Sequence, residues 1–204
     1  MINLSVFENR RGVSNERRSP MANPPNHING EAATKELEMP ENLKNGVIGW
    51  DRADIQFVLP AHRGAKLLLD RVESYPKSFV RGILEVTPER CVGFCFVDKE
   101  ELVLTAPDLI EMASQLLGVW GYHYKEVFAE RHRKFVTAII HNAVFRKRVK
   151  AGETVFIDIA VDNIKVRGSD DSQQFVVRGT EFVIKVGEEV RGTISEIVLM
   201  TPKE

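Results

Sequence analysis

Ala106-Pro107-Asp108-Leu109-Ile110-Glu111-Met112-Ala113-Ser114-Gln115-Leu116-Leu117-Gly118-Val119-Trp120 decides how the rest of the chain must be arranged. Pro107 suits a first helical position, and Asp108 complements the positive end of a helix dipole, so a helix starts here and runs toward Phe128. It is apolar around most of its circumference, the mark of a helix wrapped by other structure. Between Asp108 and Lys125 the only acidic or basic side chain besides His123 is Glu111. Burying a carboxylate is costly unless it is paired or protonated, so Glu111 has either a structural partner or a catalytic task. Gln115 lies one turn away on the same face and Gly118 extends that face, so the three residues outline a candidate cavity wall. If that face borders an apolar tunnel, desolvation raises the pKa of Glu111. A Glu bonded to neighbouring backbone amides is the competing reading.

Around this helix the sequence reads as strands. Phe79 to Val86 and Cys91 to Val97 precede it, and Phe135 to Val144, Thr154 to Val166, Gln174 to Val186 and Val190 to Met200 follow, each rich in Val, Ile, Phe or Thr. The breaks are Lys150-Ala151-Gly152-Glu153, Arg167-Gly168-Ser169-Asp170-Asp171 and Gly187-Glu188-Glu189, short turns that favour antiparallel neighbours. Two early strands, one long central helix and four late strands make an α+β layout in which a curved antiparallel sheet wraps the helix. Cys91 and Cys95 fall on one face of their strand and read as core thiols.

Composition sets the limits. The chain has 204 residues, 28 Lys plus Arg against 29 Asp plus Glu, and two cysteines. Such a length supports one domain with a full core, while two cysteines make neither a four-thiolate zinc site nor a disulfide framework. Eight of the ten asparagines lie before residue 46, with Phe7 the only aromatic before Trp50. Residues 1–48 therefore read as a flexible tail, either a start-site extension with Met21 as an alternative start or a docking segment, and 49–204 as the folded domain. Arg10, Arg11, Arg17 and Arg18 interrupt any signal-like apolar run, and the stretch Leu116 to Tyr124 is too short to span a bilayer. A cytoplasmic location without a membrane span is expected. Arg131-His132-Arg133-Lys134 and Arg146-Lys147-Arg148-Val149-Lys150 lack interleaved stacking aromatics, which argues against nucleic acid. No phosphate loop, dinucleotide fingerprint, metal-ligand cluster or nucleophile elbow occurs.

His62-Arg63, Leu67-Leu68-Leu69-Asp70-Arg71-Val72, Glu111-Met112-Ala113-Ser114-Gln115 and Phe145-Arg146-Lys147-Arg148-Val149-Lys150-Ala151-Gly152-Glu153 occur in this order. Together they resemble the motifs of the hot-dog 3-hydroxyacyl-acyl-carrier-protein dehydratases, over about Ile55 to Met200. The resemblance implies a hot-dog fold, a place in fatty-acid or polyketide/polyene-type biosynthesis, and no cofactor beyond the phosphopantetheine that carries the acyl group. It also implies homodimers or heterodimers with another hot-dog subunit, with active sites at the subunit interface and acyl carrier protein or CoA thioesters as partners.

That family uses a His to remove the proton beside the thioester carbonyl and a Glu or Asp to protonate the departing 3-hydroxyl. The resemblance gives Glu111 the general-acid role with Gln115 in support, and places Gly118, His62, Arg63, Arg146, Lys147 and Arg148 at the substrate, the basic residues as a rim that steers an acidic carrier. The family's Gly-His-Phe-Pro-Gly loop is missing: Phe96-Val97-Asp98-Lys99-Glu100 stands there, with Val97 in the His position, and no histidine occurs between His62 and His123. His62, from a motif that is structural in the family, and His141 are the candidate substitutes; His123 and His132 read as solvated. Three functions remain open: an unusual dehydratase, a His-less subunit that binds acyl chains or completes a partner's site, and a thioesterase in which Glu111 activates water.

Overall fold

The computed structural model describes residues 49–59, 62, 64–75, 78–96, 99–124, 135–168 and 175–201. The expected tail at 1–48, Arg63, Val97 and the cluster Arg131–Lys134 lie outside them, as do the side chains of Cys95 and His123.

Eleven strands are described: β1 (Trp50–Asp51), β2 (Arg71–Tyr75), β3 (Phe79–Glu85), β4 (Val92–Phe96), β5 (Lys99–Leu104), β6 (Val136–Phe145), β7 (Val149–Lys150), β8 (Thr154–Ala160), β9 (Lys165–Gly168), β10 (Phe175–Val186) and β11 (Glu189–Met200). The helices are α1 (Arg52–Val58) and α2 (Ala106–Tyr124). A large antiparallel sheet runs β1-β2-β3-β8-β10-β11-β6, with β9 also paired to β10, and β4-β5-β7 form a separate small sheet.

Several strands differ from the sequence reading. β2 and β5 carry too many charged residues, in Arg-Val-Glu-Ser-Tyr and Lys-Glu-Glu, to stand out by apolar content. The expected strand over 154–166 is split by a 3-10 turn at Val161–Asn163 into β8 and β9. Among the described residues there are two α-helices rather than one. α1 is announced by Asp51, which accepts from the backbone N–H groups of Ala53 and Asp54 while the Asp54 carboxylate accepts from Asp51 N–H, a reciprocal cap. Cys91 is half-buried just before β4 rather than on it; desolvation pushes its thiol pKa up, so it stays protonated at neutral pH.

α2 is 19 residues long and buried from Met112 to Gly121. Thr105 caps it: its N–H donates to Asp108 Oδ2 at 2.9 Å, and its hydroxyl bonds the same carboxylate. Two strand glycines let helix and sheet approach closely. A Cβ at Gly82 would lie 2.7 Å from Leu69 Cδ2 and 3.3 Å from Leu116, and one at Gly179 would lie 2.9 Å from Leu117 Cδ1. Both are tighter than van der Waals contact, so a side chain at either position would displace the core side chains packed between α2 and the sheet.

The large sheet is bent along one line. In β10 the buried residues are Val177 and Gly179, then Phe182 and Ile184; in β11 they are Gly192 and Ile194, then Ile197, Val198 and Leu199. The inward-facing phase thus shifts by one residue at Glu181 and at Ser195, which face each other in the register. Asn142, at the matching place in β6, and Glu181 are the two non-glycine residues with positive φ, 45° and 59°, among those described. The pairing register is the same on both sides of this line, so the three strands stay paired through it.

Asp70, from the Leu-Leu-Leu-Asp-Arg-Val motif, knits the region beside α1. It accepts from Arg52 Nη1 at 2.6 Å, from both terminal nitrogens of Arg90 at 3.0 and 3.1 Å, and from Glu85 N–H at 2.8 Å. Burial pushes its pKa up, but these hydrogen bonds outweigh burial and hold it below the usual carboxylate range. Among the described residues no helix is long and apolar enough to cross a membrane.

Candidate functional site

Glu111 and Gln115 share one face of α2, as their spacing dictates, and the chain folds back over that face. Leu59, His62 and Lys66 to Leu68 all meet it. His62 Nε2 donates to Glu111 Oε1 at 2.9 Å, and Gln115 Nε2 donates to the same oxygen at 3.1 Å. Gln115 Nε2 also donates to Lys66 C=O at 2.7 Å, and its Oε1 accepts from the buried Leu68 N–H at 2.8 Å. One side chain therefore clamps the 66–68 segment to the helix and orients the carboxylate.

The side chain of Glu111 is 44% exposed and that of His62 is 28% exposed. The hydrogen bond from His62 holds the carboxyl of Glu111 below the usual carboxylate range, against the opposing push of partial burial, with Gln115 and the charge of His62 adding to it. This corrects one sequence expectation: the pKa of Glu111 is lowered rather than raised. It is an ionised carboxylate at neutral pH, in the form that accepts a proton rather than the form that donates one. Among the described residues nothing hydrogen-bonds Oε2, so that oxygen is available to a water or a substrate.

His62 Nδ1 is buried and finds no hydrogen-bond partner among the described residues. The sequence pointed to His62 only through the resemblance, because 49 residues separate it from Glu111 and no local pattern joins them. His141 is elsewhere, on the edge strand β6 beside Glu196, at 3.9 Å, and does not approach Glu111's partners.

Gly118 is not a cavity wall. A Cβ there would meet Leu59 Cδ2 at 3.4 Å and Leu199 Cδ1 at 3.7 Å, ordinary packing distances inside the core. Gly118→Ala is therefore expected to stabilise the fold by about 0.5–1 kcal/mol, the usual helix-interior gain, and to leave any turnover unchanged. Thermal unfolding beside an activity assay checks this. A loss of activity without a loss of stability would return Gly118 to the site.

Arg146, Lys147 and Arg148 line a second feature, a cleft of about 730 Å³ between the start of α2 and the segment from Phe145 to Lys150. Its walls include Val103, Leu104, Pro107 and Leu109, but not Glu111, Gln115, Gly118 or His62. Most of its cations are already paired: Lys147 with Glu189, Arg148 and Lys150 with Glu101, and Arg191 with Glu153 and Glu189. These basic residues thus line a cleft apart from Glu111, and their charge is largely spent within the protein.

No protein-family model and no curated protein sequence matches the chain. Among solved structures it is similar to the dehydratase heterocomplex ApeI:P from Xenorhabdus doucetiae, at 17% identity over 74% of this chain and 91% of that one, with a TM-score of 0.48. It is also similar to the E. coli PaaI protein from the phenylacetic acid degradation operon, at 13% identity over 74% and 96%, TM-score 0.40. A third similarity is to Staphylococcus aureus SAV2348 in complex with CoA, at 13% identity over 63% and 72%, TM-score 0.40.

Proposed function

We propose that the chain is a hot-dog domain that acts on acyl thioesters, with Glu111 as an ionised base that activates water against the thioester carbonyl. The observation that carries this reading is the double hydrogen bond from His62 and Gln115 to Oε1, which fixes the carboxylate and leaves Oε2 for water. In the step, the water oxygen bonds to the carbonyl carbon as its proton passes to Oε2. The tetrahedral adduct then breaks its C–S bond, and the departing thiolate recovers the proton from Glu111, giving a free acid and a free thiol. Proton transfer by a positioned carboxylate contributes about 10²–10⁴-fold to such a rate. Arg146, in the cleft beside the helix start and outside its ion pairs, would meet the anionic carrier, CoA or phosphopantetheine.

A second reading keeps the dehydratase assignment, and the position of His62 favours it. With Val97 where the family has its His, His62 brings an imidazole to the carboxylate within one chain. Dehydration then runs with Glu111 taking the C2 proton and the imidazolium of His62 protonating the leaving 3-hydroxyl, the reverse of the roles implied by resemblance. A His-less subunit completed by a partner's base is the remaining form of that reading.

The two readings separate in one assay of the purified chain. With an acyl-CoA panel of short, long and aromatic groups, hydrolysis releases free thiol; with 3-hydroxyacyl thioesters, dehydration gives a conjugated enoyl product and no thiol. Thiol release is expected. Enoyl formation without thiol release would overturn the hydrolysis reading in favour of the second.

A further inference from the structure

His62 meets Glu111 without the usual aid to its orientation. A histidine that serves a carboxylate is normally oriented by a hydrogen bond at its other ring nitrogen, but Nδ1 of His62 is buried with no partner among the described residues. Its ring hydrogen bond among them runs to Glu111 itself. The ring must therefore take its position from the backbone that carries it. That backbone is held by both ends of α1. Leu59 N–H closes the helix on Ile55 C=O at 2.9 Å, and His62 N–H donates to Leu59 C=O at 2.9 Å. From the other end Arg52, the first residue of α1, reaches past His62 to Gly64: its Nη2 donates to Gly64 C=O at 2.8 Å while its Nη1 donates to Asp70 at 2.6 Å. One planar guanidinium fork thus bonds both acceptors at once.

We propose that Arg52, held in place by Asp70, is a positioning residue that keeps the imidazole of His62 on Glu111. Asp70 is a fixed point for this task, because Arg90 and Glu85 N–H bond it independently of Arg52. Gln115 already ties Lys66 to α2, so losing Arg52 loosens the chain between Leu59 and Lys66, where His62 sits, and leaves the clamp on α2 intact. The inference deepens the reading above and rests on Glu111 being the working carboxylate.

The test titrates the Glu111 carboxyl carbon by NMR in the full chain, unaltered and as Arg52→Met, His62→Ala and the two combined. Of the groups packed on Glu111, Gln115 is neutral, Lys66 meets Gln115 through its carbonyl, and His62 is the titratable group whose hydrogen bond lowers the carboxyl most. A misplaced imidazole therefore raises the midpoint. Arg52→Met is expected to shift it to higher pH, toward that of His62→Ala, and to add nothing further in the combined variant. In thiol release, kcat should fall by about 10²-fold with KM little changed, the scale on which a ~1 Å misplacement acts. Arg90→Met is the control. Arg90 shares Asp70 and is the more buried, 11% exposed against 36% for Arg52, but it does not bond the His62 segment, so its loss should cost more stability and leave the midpoint in place. Should Arg52→Met fail to fold, Arg52→Lys, which keeps the charge beside Asp70 and loses the fork, carries the same comparison. A midpoint that the Arg52 variant leaves in place, a further rise in the combined variant, or an equal rise in Arg90→Met overturns the proposal, as does an unchanged kcat in a chain that hydrolyses thioesters. The midpoint needs no turnover, so a chain that hydrolyses nothing would overturn the hydrolysis reading while the titration still decides the role of Arg52.

Discussion

Changing Glu111 to Gln is expected to lower kcat/KM for thioester hydrolysis by about 10²–10⁴-fold, the usual cost of losing a general base, with only a small shift in melting temperature. The amide has nearly the same shape as the carboxylate, and its oxygen can still accept from His62 and Gln115, so the local hydrogen bonds survive. It cannot take a proton from water. The fold should tolerate the change because the Glu111 side chain is 44% exposed and its ion pair with His62 is only partly shielded, the class of pair worth about 1 kcal/mol or less. Thiol release and thermal unfolding measured on the same preparations give both numbers. Full activity in Glu111→Gln would make the residue structural.

The second large effect belongs to Gln115, which is 2% exposed and serves three hydrogen-bonded groups at once. Gln115→Leu keeps most of the volume but strands the buried Leu68 N–H. An orphaned buried donor costs roughly 1–3 kcal/mol, so a loss of about 2 kcal/mol in urea unfolding is expected, together with a fall in turnover as the carboxylate loses its second anchor. Gln115→Glu keeps an acceptor for Leu68 N–H but turns an oxygen toward Lys66 C=O and Glu111 and buries a charge, so it should recover neither stability nor activity. Unchanged stability in Gln115→Leu would show that the clamp between helix and 66–68 segment carries no weight.

How much of this was legible from sequence can be traced residue by residue. α2 announced itself because its apolar surface is nearly continuous, and β3, β8, β10 and β11 because their residues alternate or cluster as β-branched and aromatic types. β2 and β5 were hidden by their charges, and the second helix by its short length, although the Asp51 and Asp54 pair is a visible cap. At the site, an isolated polar pair on an apolar helix singled out Glu111 and Gln115, and the two share one face and a hydrogen bond. The helical spacing also put Gly118 on that face, but spacing gives a face and not its neighbour: the chain from Leu59 to Leu68 covers it, so the supposed cavity wall is packed. The sign of the Glu111 shift was missed for the same reason. Without His62 in place, burial alone argues for a raised pKa; with its hydrogen bond, the carboxylate wins.

The measurement that bears most directly on the central claim is the pH dependence of kcat/KM for thiol release by the unaltered chain and by His62→Ala. A carboxylate whose pKa is depressed in the folded protein works as a base above that pKa and loses its function as pH falls through it. Activity should therefore hold through neutral pH and down past the ordinary glutamate value of 4.5 before failing, within the range where the chain stays folded. Removing His62 takes away the largest lowering influence, so the acid limb of His62→Ala should move to higher pH. Activity that rises on acidification, as a protonated Glu111 acting as an acid would give, or an acid limb that His62→Ala leaves in place, would contradict the account.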